Sequence, residues 1–181
     1  MGVTFFVGHH FQKGFLRKGM VNMQKKNNVR ALCQCAIIAA IYVVLTWLAT
    51  AFGLSSGVIQ VRFSEMICIL PIFMPSAIAG LTVGCVLSNI LSGCVLLDII
   101  FGSLATLIGA VGTYALRKRK YLAFLPPILS NTIIVPWVLK TAYGVGEAYW
   151  FLVLTVGIGE VISVGILGFF LYNTLKNKKF F

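Results

Sequence analysis

The chain has 181 residues, of which 59% are hydrophobic and only 10% charged, and its mean hydropathy is +0.96. Soluble domains carry about 25% charged residues, so this composition excludes a water-soluble globule. At ~20 apolar residues per crossing, it leaves a small polytopic membrane protein without a sizeable extramembrane domain. The net charge of +11 would fit a nucleic-acid binder, but its placement argues otherwise. Lys13, Arg17, Lys18, Lys25, Lys26 and Arg30 precede the first apolar run, Arg117, Lys118, Arg119 and Lys120 form a second cluster, and Lys176, Lys178 and Lys179 close the chain. Basic clusters that bound apolar segments mark cytoplasmic ends. Anionic lipid is their expected neighbour, and no nucleic acid is expected.

Residues 1–30 are basic and mixed in character, without the apolar region and small-residue cleavage site of a secretory signal. They read as a basic cytoplasmic N-terminal extension, with Met20 and Met23 as alternative starts. Phe5, Phe6, Phe11, Phe15 and Leu16 among the bases fit an interfacial amphipathic helix. His9-His10 lacks further ligands, so no metal site is expected. The first span runs from about Ala31 to Phe52, and a Gly/Ser turn follows at 53–57. Next comes VIQVRFSEMICILPIFMP, where only nine residues, Met66 to Met74, separate Glu65 from Pro75. That is too short to span unless Arg62 and Glu65 belong to the helix. A third segment covers about Ser76 to Leu91, a fourth Asp98 to Leu116, a fifth Leu122 to Thr141 and a sixth Tyr149 to Tyr172.

Six crossings put the amino terminus, the Arg117–Lys120 loop and the carboxyl terminus on one side, as the distribution of bases requires. Trp47, Trp137, Tyr143, Tyr149 and Trp150 then fall at the outer ends, and Tyr114, Tyr121 and Tyr172 at the inner ends, as an aromatic belt. The expected fold is an all-α integral membrane protein, a bundle of six transmembrane helices with both termini cytoplasmic. Residues 31–175 form its membrane domain and 176–181 a basic cytoplasmic tail.

Small residues at every fourth position let helix backbones approach closely. Gly80, Gly84, Ser88 and Ser92 make one such stripe, Ala105, Gly109 and Thr113 another, and Ala36-xxx-Ala40 a third. Packing within the bundle accounts for all three; for Ala36 and Ala40 a partner-docking face is the sharper alternative. Cys33, Cys35, Cys68, Cys85 and Cys94 form no CxxC pair, so neither a disulfide framework nor a zinc site is expected, and small apolar packing residues are.

An ionisable side chain costs about 2.5–3.5 kcal/mol at the bilayer centre on insertion scales, so each one needs a partner or water. Glu160 is the twelfth of the 24 residues from Tyr149 to Tyr172 and the only charge among them; it reads as a ligand or gating residue, or as a structural partner of Arg62. Arg62 and Glu65 are three apart and would share a helix face, either as a local ion pair or on the wall of an outward-facing polar cavity. Asp98 opens the fourth segment, as an N-cap or as another outward-facing carboxylate. Asn89 and Asn131 are inter-helix glue or cavity residues, and Pro136 marks the fifth segment as a second candidate wall. With no His after position 10 and no G-x-x-x-x-G-K-[ST], the chain has neither a hydrolase base nor a P-loop. No enzyme and no cofactor are expected.

The succession AIIAAIYVVLT (36–46), IQVRFSEMICILPIFMPSAIAGLTVGCVLSNILSG (59–93), LLDIIFGSLATLIGA (96–110) and GIGEVISVGILG (157–168) resembles the QueT family of queuosine-precursor transporters, which are substrate-binding S components of energy-coupling-factor (ECF) transporters. RFSE and LLDIIFGSLAT are the most specific blocks. The resemblance implies a six-helix protein that binds a 7-deazaguanine, foremost 7-aminomethyl-7-deazaguanine, from outside. It also implies a membrane scaffold subunit and two cytoplasmic ATPase subunits as partners, with Ala36 and Ala40 similar to the scaffold-docking motif. Such a ligand presents N–H donors and a cationic aminomethyl group, which carboxylates answer. Glu160 with Glu65 or Asp98 is expected to hold it, and Arg62, Asn89 and Asn131 to complete the polar shell. The alternatives are an S component for a different vitamin or small metabolite and, from another class, a channel or structural bundle.

Overall fold

The computed structural model describes residues 28–54 and 59–176. His9-His10, the amphipathic N-terminal stretch, most of the Gly/Ser turn and Lys178-Lys179 lie outside the described residues. The chain divides into two compact units, Met1–Gln34 and Cys35–Phe181. Of the first, residues 28–34 are described and helical. All packing discussed below lies within the second unit.

Four helices are long and apolar enough to cross a membrane: α1 (Asn28–Ala51), α3 (Leu96–Ala115), α4 (Leu122–Ala142) and α5 (Tyr149–Lys176). Between α1 and α3 lie a 3-10 helix (Phe63–Ile72) and α2 (Ser76–Leu91). The six helical segments fall within a few residues of the predicted ones, and the described residues contain no strand. The second segment gains length by tightening but stays short of the ~30 Å hydrocarbon core. Ten residues at the 3-10 rise of about 2.0 Å reach ~20 Å, where an α-helix would reach ~15 Å. Arg62 stays outside it, in extended backbone with φ −108° and ψ 110°. The expectation that Arg62 and Glu65 share a helix face is therefore wrong: the helix begins between them.

Two of the small-residue stripes are seams of the bundle. A Cβ at Gly84 would lie 2.7 Å from Tyr42 Cβ, and one at Gly80 2.9 Å from the Cys35 carbonyl oxygen, so only glycine lets α2 lie this close to α1. On α3, a Cβ at Gly109 would lie 2.7 Å from Pro127 Cα and one at Gly112 2.5 Å from Pro126 Cβ. Thr113 completes that seam by donating to the Ala123 carbonyl at 3.0 Å. Ala36 and Ala40, in contrast, are exposed.

Trp47, Trp150 and Tyr121 are exposed, as belt residues should be, but Tyr172 is only 8% exposed. Its ring packs on Phe73 and Phe124, with centroids 5.6 and 6.0 Å away, so it is a core residue. The misassignment has a simple cause, since an amphipathic ring near a span end serves either purpose. Finally, α5 is not uniform. It is α-helical over Tyr149–Glu160, widens to a π-helix over Val161–Leu167 and resumes at Gly168–Lys176. π segments within α-helices frequently mark functional sites, and this one begins directly after Glu160.

Candidate functional site

The segment ahead of the 3-10 helix is tied down at both ends. Val61 N–H donates to the Leu54 carbonyl at 3.1 Å, and Arg62 N–H to Ser163 Oγ at 3.2 Å. Gly159 makes this contact possible: a Cβ there would meet the Gln60 carbonyl group, with its carbon only 3.0 Å away. The glycine of the GIGE block thus seats the chain at Gln60 against α5, and it brings Arg62 beside Ser163 in the π segment.

Below Arg62, three elements converge on one carboxylate. Glu65, 1% exposed, accepts Tyr42 O–H from α1 at 2.5 Å, Cys68 S–H from its own helix at 3.0 Å and Asn131 Nδ2–H from α4 at 3.3 Å. In a 3-10 helix, residues three apart eclipse one another, which is why Cys68 sits directly over Glu65. The thiol is a hydrogen-bond donor here as well as packing, and all five cysteines are free. Glu160 is buried next to Asn131, and its Oε2 has no hydrogen-bond partner. Glu65, Asp98 and Glu160 are all near enough to act electrostatically on the Arg62 guanidinium, yet among the described residues none of them forms an ion pair with it. The predicted local pairs of Arg62 with Glu65 or Glu160 are not formed.

Asp98 belongs to a second polar group, toward the ends where α2 stops and α3 starts. It does not cap α3, whose N-cap is Val95. Its Oδ2 accepts Tyr143 O–H at 2.9 Å, and its carbonyl accepts Asn89 Nδ2–H at 3.5 Å. Gly102 leaves room for both, since a Cβ there would lie 3.2 Å from Asn89 Nδ2 and from Asp98 Oδ1. Tyr143 lies just beyond α4; partial burial, together with its bond to Asp98, raises its phenol above the ordinary range.

A cavity of about 540 Å³ opens between these groups, its wall including Tyr42, Arg62, Ser64, Asn89, Asp98 and Tyr143. It lies at the end of the bundle where α2 and α4 finish and α3 begins, opposite the Arg117–Lys120 loop. Its volume falls within the ~300–1,000 Å³ of small-molecule sites. A chamber of about 160 Å³ beside it shares Gln60, Leu139 and Val145. Of the predicted site residues, Arg62, Asn89 and Asp98 stand on the cavity wall. Glu65, Asn131 and Glu160 do not; they form the buried cluster behind it, reached through Tyr42 and Arg62. Tyr42, Tyr143, Ser64 and Ser163 were not anticipated. The one available signal was Tyr42, a phenol in the middle of a span, where the hydroxyl of a buried Tyr needs a partner.

These features define a helical membrane protein with a cavity of small-molecule size, lined in part by polar side chains, at one end of its bundle. The model of the QueT transporter family matches residues 32–177, and the chain belongs to that family. It is 39% identical over 84 residues, 46% of its own length, to the queuosine precursor transporter QueT of Lactococcus lactis subsp. cremoris (strain MG1363). That alignment covers 49% of the relative, so the chain spans about half the length of the curated relative it matches. No solved structure matches the chain.

Proposed function

We propose that the chain is the substrate-binding membrane component of an ECF-type importer for a queuosine precursor, 7-aminomethyl-7-deazaguanine or a related 7-deazaguanine. The observation that carries this reading is the cavity: a family member holds, at one end of its bundle, a small-molecule-sized space walled by Arg62, Asn89 and Asp98. The bound base presents N–H donors and an ammonium. Asp98 accepts from the donor edge or the ammonium, and charge-assisted bonds of this kind strengthen where water is excluded. Behind that wall, Glu65 and Glu160 add acidic groups near Arg62 and Asn131.

The basic Arg117–Lys120 loop faces the cytoplasm in this reading, with both termini on the same side, so the cavity opens outward. The chain is not an enzyme. The energy for import comes from two ATPase subunits acting through a membrane scaffold, and the exposed Ala36 and Ala40 are the face that meets that scaffold. Calorimetry on the detergent-solubilised chain with 7-aminomethyl-7-deazaguanine tests the assignment. Saturable binding is expected, with a loss of at least about tenfold in Asp98→Asn, the size of one charge-assisted hydrogen bond, and a smaller loss in Glu160→Gln, which stands behind the wall. Unchanged affinity in both variants removes these carboxylates from the site, and preferential binding of a vitamin replaces the substrate.

A further inference from the structure

We infer that Ser64 is a specificity-determining residue of this cavity, its hydroxyl donating to the ring carbonyl of the bound base; the inference rests on the 7-deazaguanine reading above. Ser64 is 0% exposed, stands on the cavity wall, and its Oγ has no hydrogen-bond partner. Buried polar groups in native proteins are paired, and an unpaired one costs about 1–3 kcal/mol, so each exception needs a cause. Five of the six other hydroxyls on the wall show what pairing is available there; the sixth, Ser92, is exposed. Thr46, Thr50 and Ser88 donate to carbonyls one turn back in their own helices, and Tyr42 and Tyr143 donate to Glu65 and Asp98. Ser64 has no such outlet, because it lies in the first turn of its helix and the chain ahead of that helix is extended at Arg62. Nor does it cap the helix, whose N-cap is Arg62.

The surrounding chemistry fixes what the hydroxyl is for. An ionised carboxylate only accepts hydrogen bonds, so Asp98, the carboxylate on the wall, can recognise the donors of a 7-deazaguanine but not its carbonyl oxygen. The amide of Asn89 is already directed at the Asp98 carbonyl. Gln60, Arg62, Ser64 and Ser92 remain as donors on the wall for the one strong acceptor on the ligand's ring, and of these Ser64 is the fully buried one whose hydroxyl is unpartnered. Ser64 is also two residues from the point where Arg62 is anchored to Ser163, so the Arg62 and Ser64 donors are held by one short stretch of backbone.

The test is calorimetry with two probes, 7-aminomethyl-7-deazaguanine and its analogue lacking the ring carbonyl oxygen, on the wild-type chain and on Ser64→Ala. The expected result is about a tenfold loss of affinity for the carbonyl ligand in Ser64→Ala and less than about twofold for the analogue. The thermal midpoint of the ligand-free variant should be equal to or above wild type, because an unpaired group has been removed. Ser103 provides the control: it is another buried serine with an unpartnered Oγ, on α3, and Ser103→Ala should leave both affinities unchanged. Equal losses for the two probes, or no loss for either, would overturn the assignment. Loss of folding in Ser64→Ala would overturn it as well, by making the hydroxyl structural. If the wild-type chain itself fails to bind the carbonyl ligand, the functional proposal falls, and this inference falls with it.

Discussion

Gly84→Ala is the perturbation whose consequence can be followed furthest. The new Cβ would lie 2.7 Å from Tyr42 Cβ, 3.0 Å from Ala39 Cα and 3.1 Å from the Ala39 carbonyl oxygen. Two of these neighbours are backbone and the third is fixed to it, so no rotamer change relieves the clash. Restoring an ordinary contact of 3.4 Å requires α1 to move away from α2 by about 0.7 Å at Tyr42. Overpacking of this kind costs about 1–3 kcal/mol. The displacement also acts on the 2.5 Å bond from Tyr42 to Glu65, and a hydrogen bond to a charged group is worth about 1.5–3 kcal/mol. At about 2–4 °C per kcal/mol for a chain of this size, the summed cost should lower the thermal midpoint by roughly 5–24 °C. Affinity should fall too, because Tyr42 is part of the cavity wall. The assay is a thermal-shift series on the detergent-solubilised protein with and without 7-aminomethyl-7-deazaguanine. Gly165→Ala serves as the reference, since its Cβ would meet only Val161 Cγ1, at 3.7 Å. If Gly84→Ala behaves like Gly165→Ala, the α1–α2 seam does not hold Tyr42 in place and the reasoning is refuted.

Two further outcomes follow from the same geometry. The Tyr143 phenol, raised by partial burial and by Asp98 above its ordinary 10.0, contributes stability that is complete below that pH and is lost as the pH climbs through the raised value. Tyr143→Phe should therefore flatten the alkaline limb of the ligand-free stability curve, and a curve identical to wild type above pH 10 contradicts the Tyr143–Asp98 contact. Leu at both Ala36 and Ala40 should abolish co-purification with the scaffold subunit while sparing ligand binding by the isolated chain. Normal assembly of that double variant would move the docking face elsewhere.

The number and placement of the helical segments were legible because apolar runs in this chain are long and are punctuated by bases, glycine and proline. The seams were legible for a related reason: Gly80, Gly84 and Gly109 recur at the spacing that close helix contact demands. The second segment was not. A period of 3.6 residues was assumed for a stretch that adopts a 3-10 helix, and this put Arg62 on the helix and paired it with Glu65. The structure instead leaves Arg62 in extended backbone against α5.

At the site, the charged and amide residues could be picked out from their rarity in an apolar chain, yet rarity does not tell which of them reach the cavity. Arg62, Asn89 and Asp98 do, while Glu65, Asn131 and Glu160 stand behind it. The hydroxyls were invisible for a different reason. Ser, Thr and Tyr occur throughout membrane helices and commonly bond to their own backbone, as Thr46 and Ser88 do here. Only the three-dimensional account of donors and acceptors separates these from Tyr42, Tyr143 and Ser64, whose partners lie on other elements or are missing. Asp98 shows the same limit: an acid at a helix start reads as a cap, and only its contact with Tyr143, 45 residues away in the chain, shows otherwise.

The central claim is that this chain on its own captures a 7-deazaguanine. Mass spectrometry of the small molecule that co-purifies with the detergent-solubilised protein tests it most directly. The account predicts a deazapurine, 7-aminomethyl-7-deazaguanine or a close relative, recovered from wild type and depleted from Asp98→Asn. Recovery of an unrelated vitamin, or of the same deazapurine in equal amount from both proteins, would contradict it.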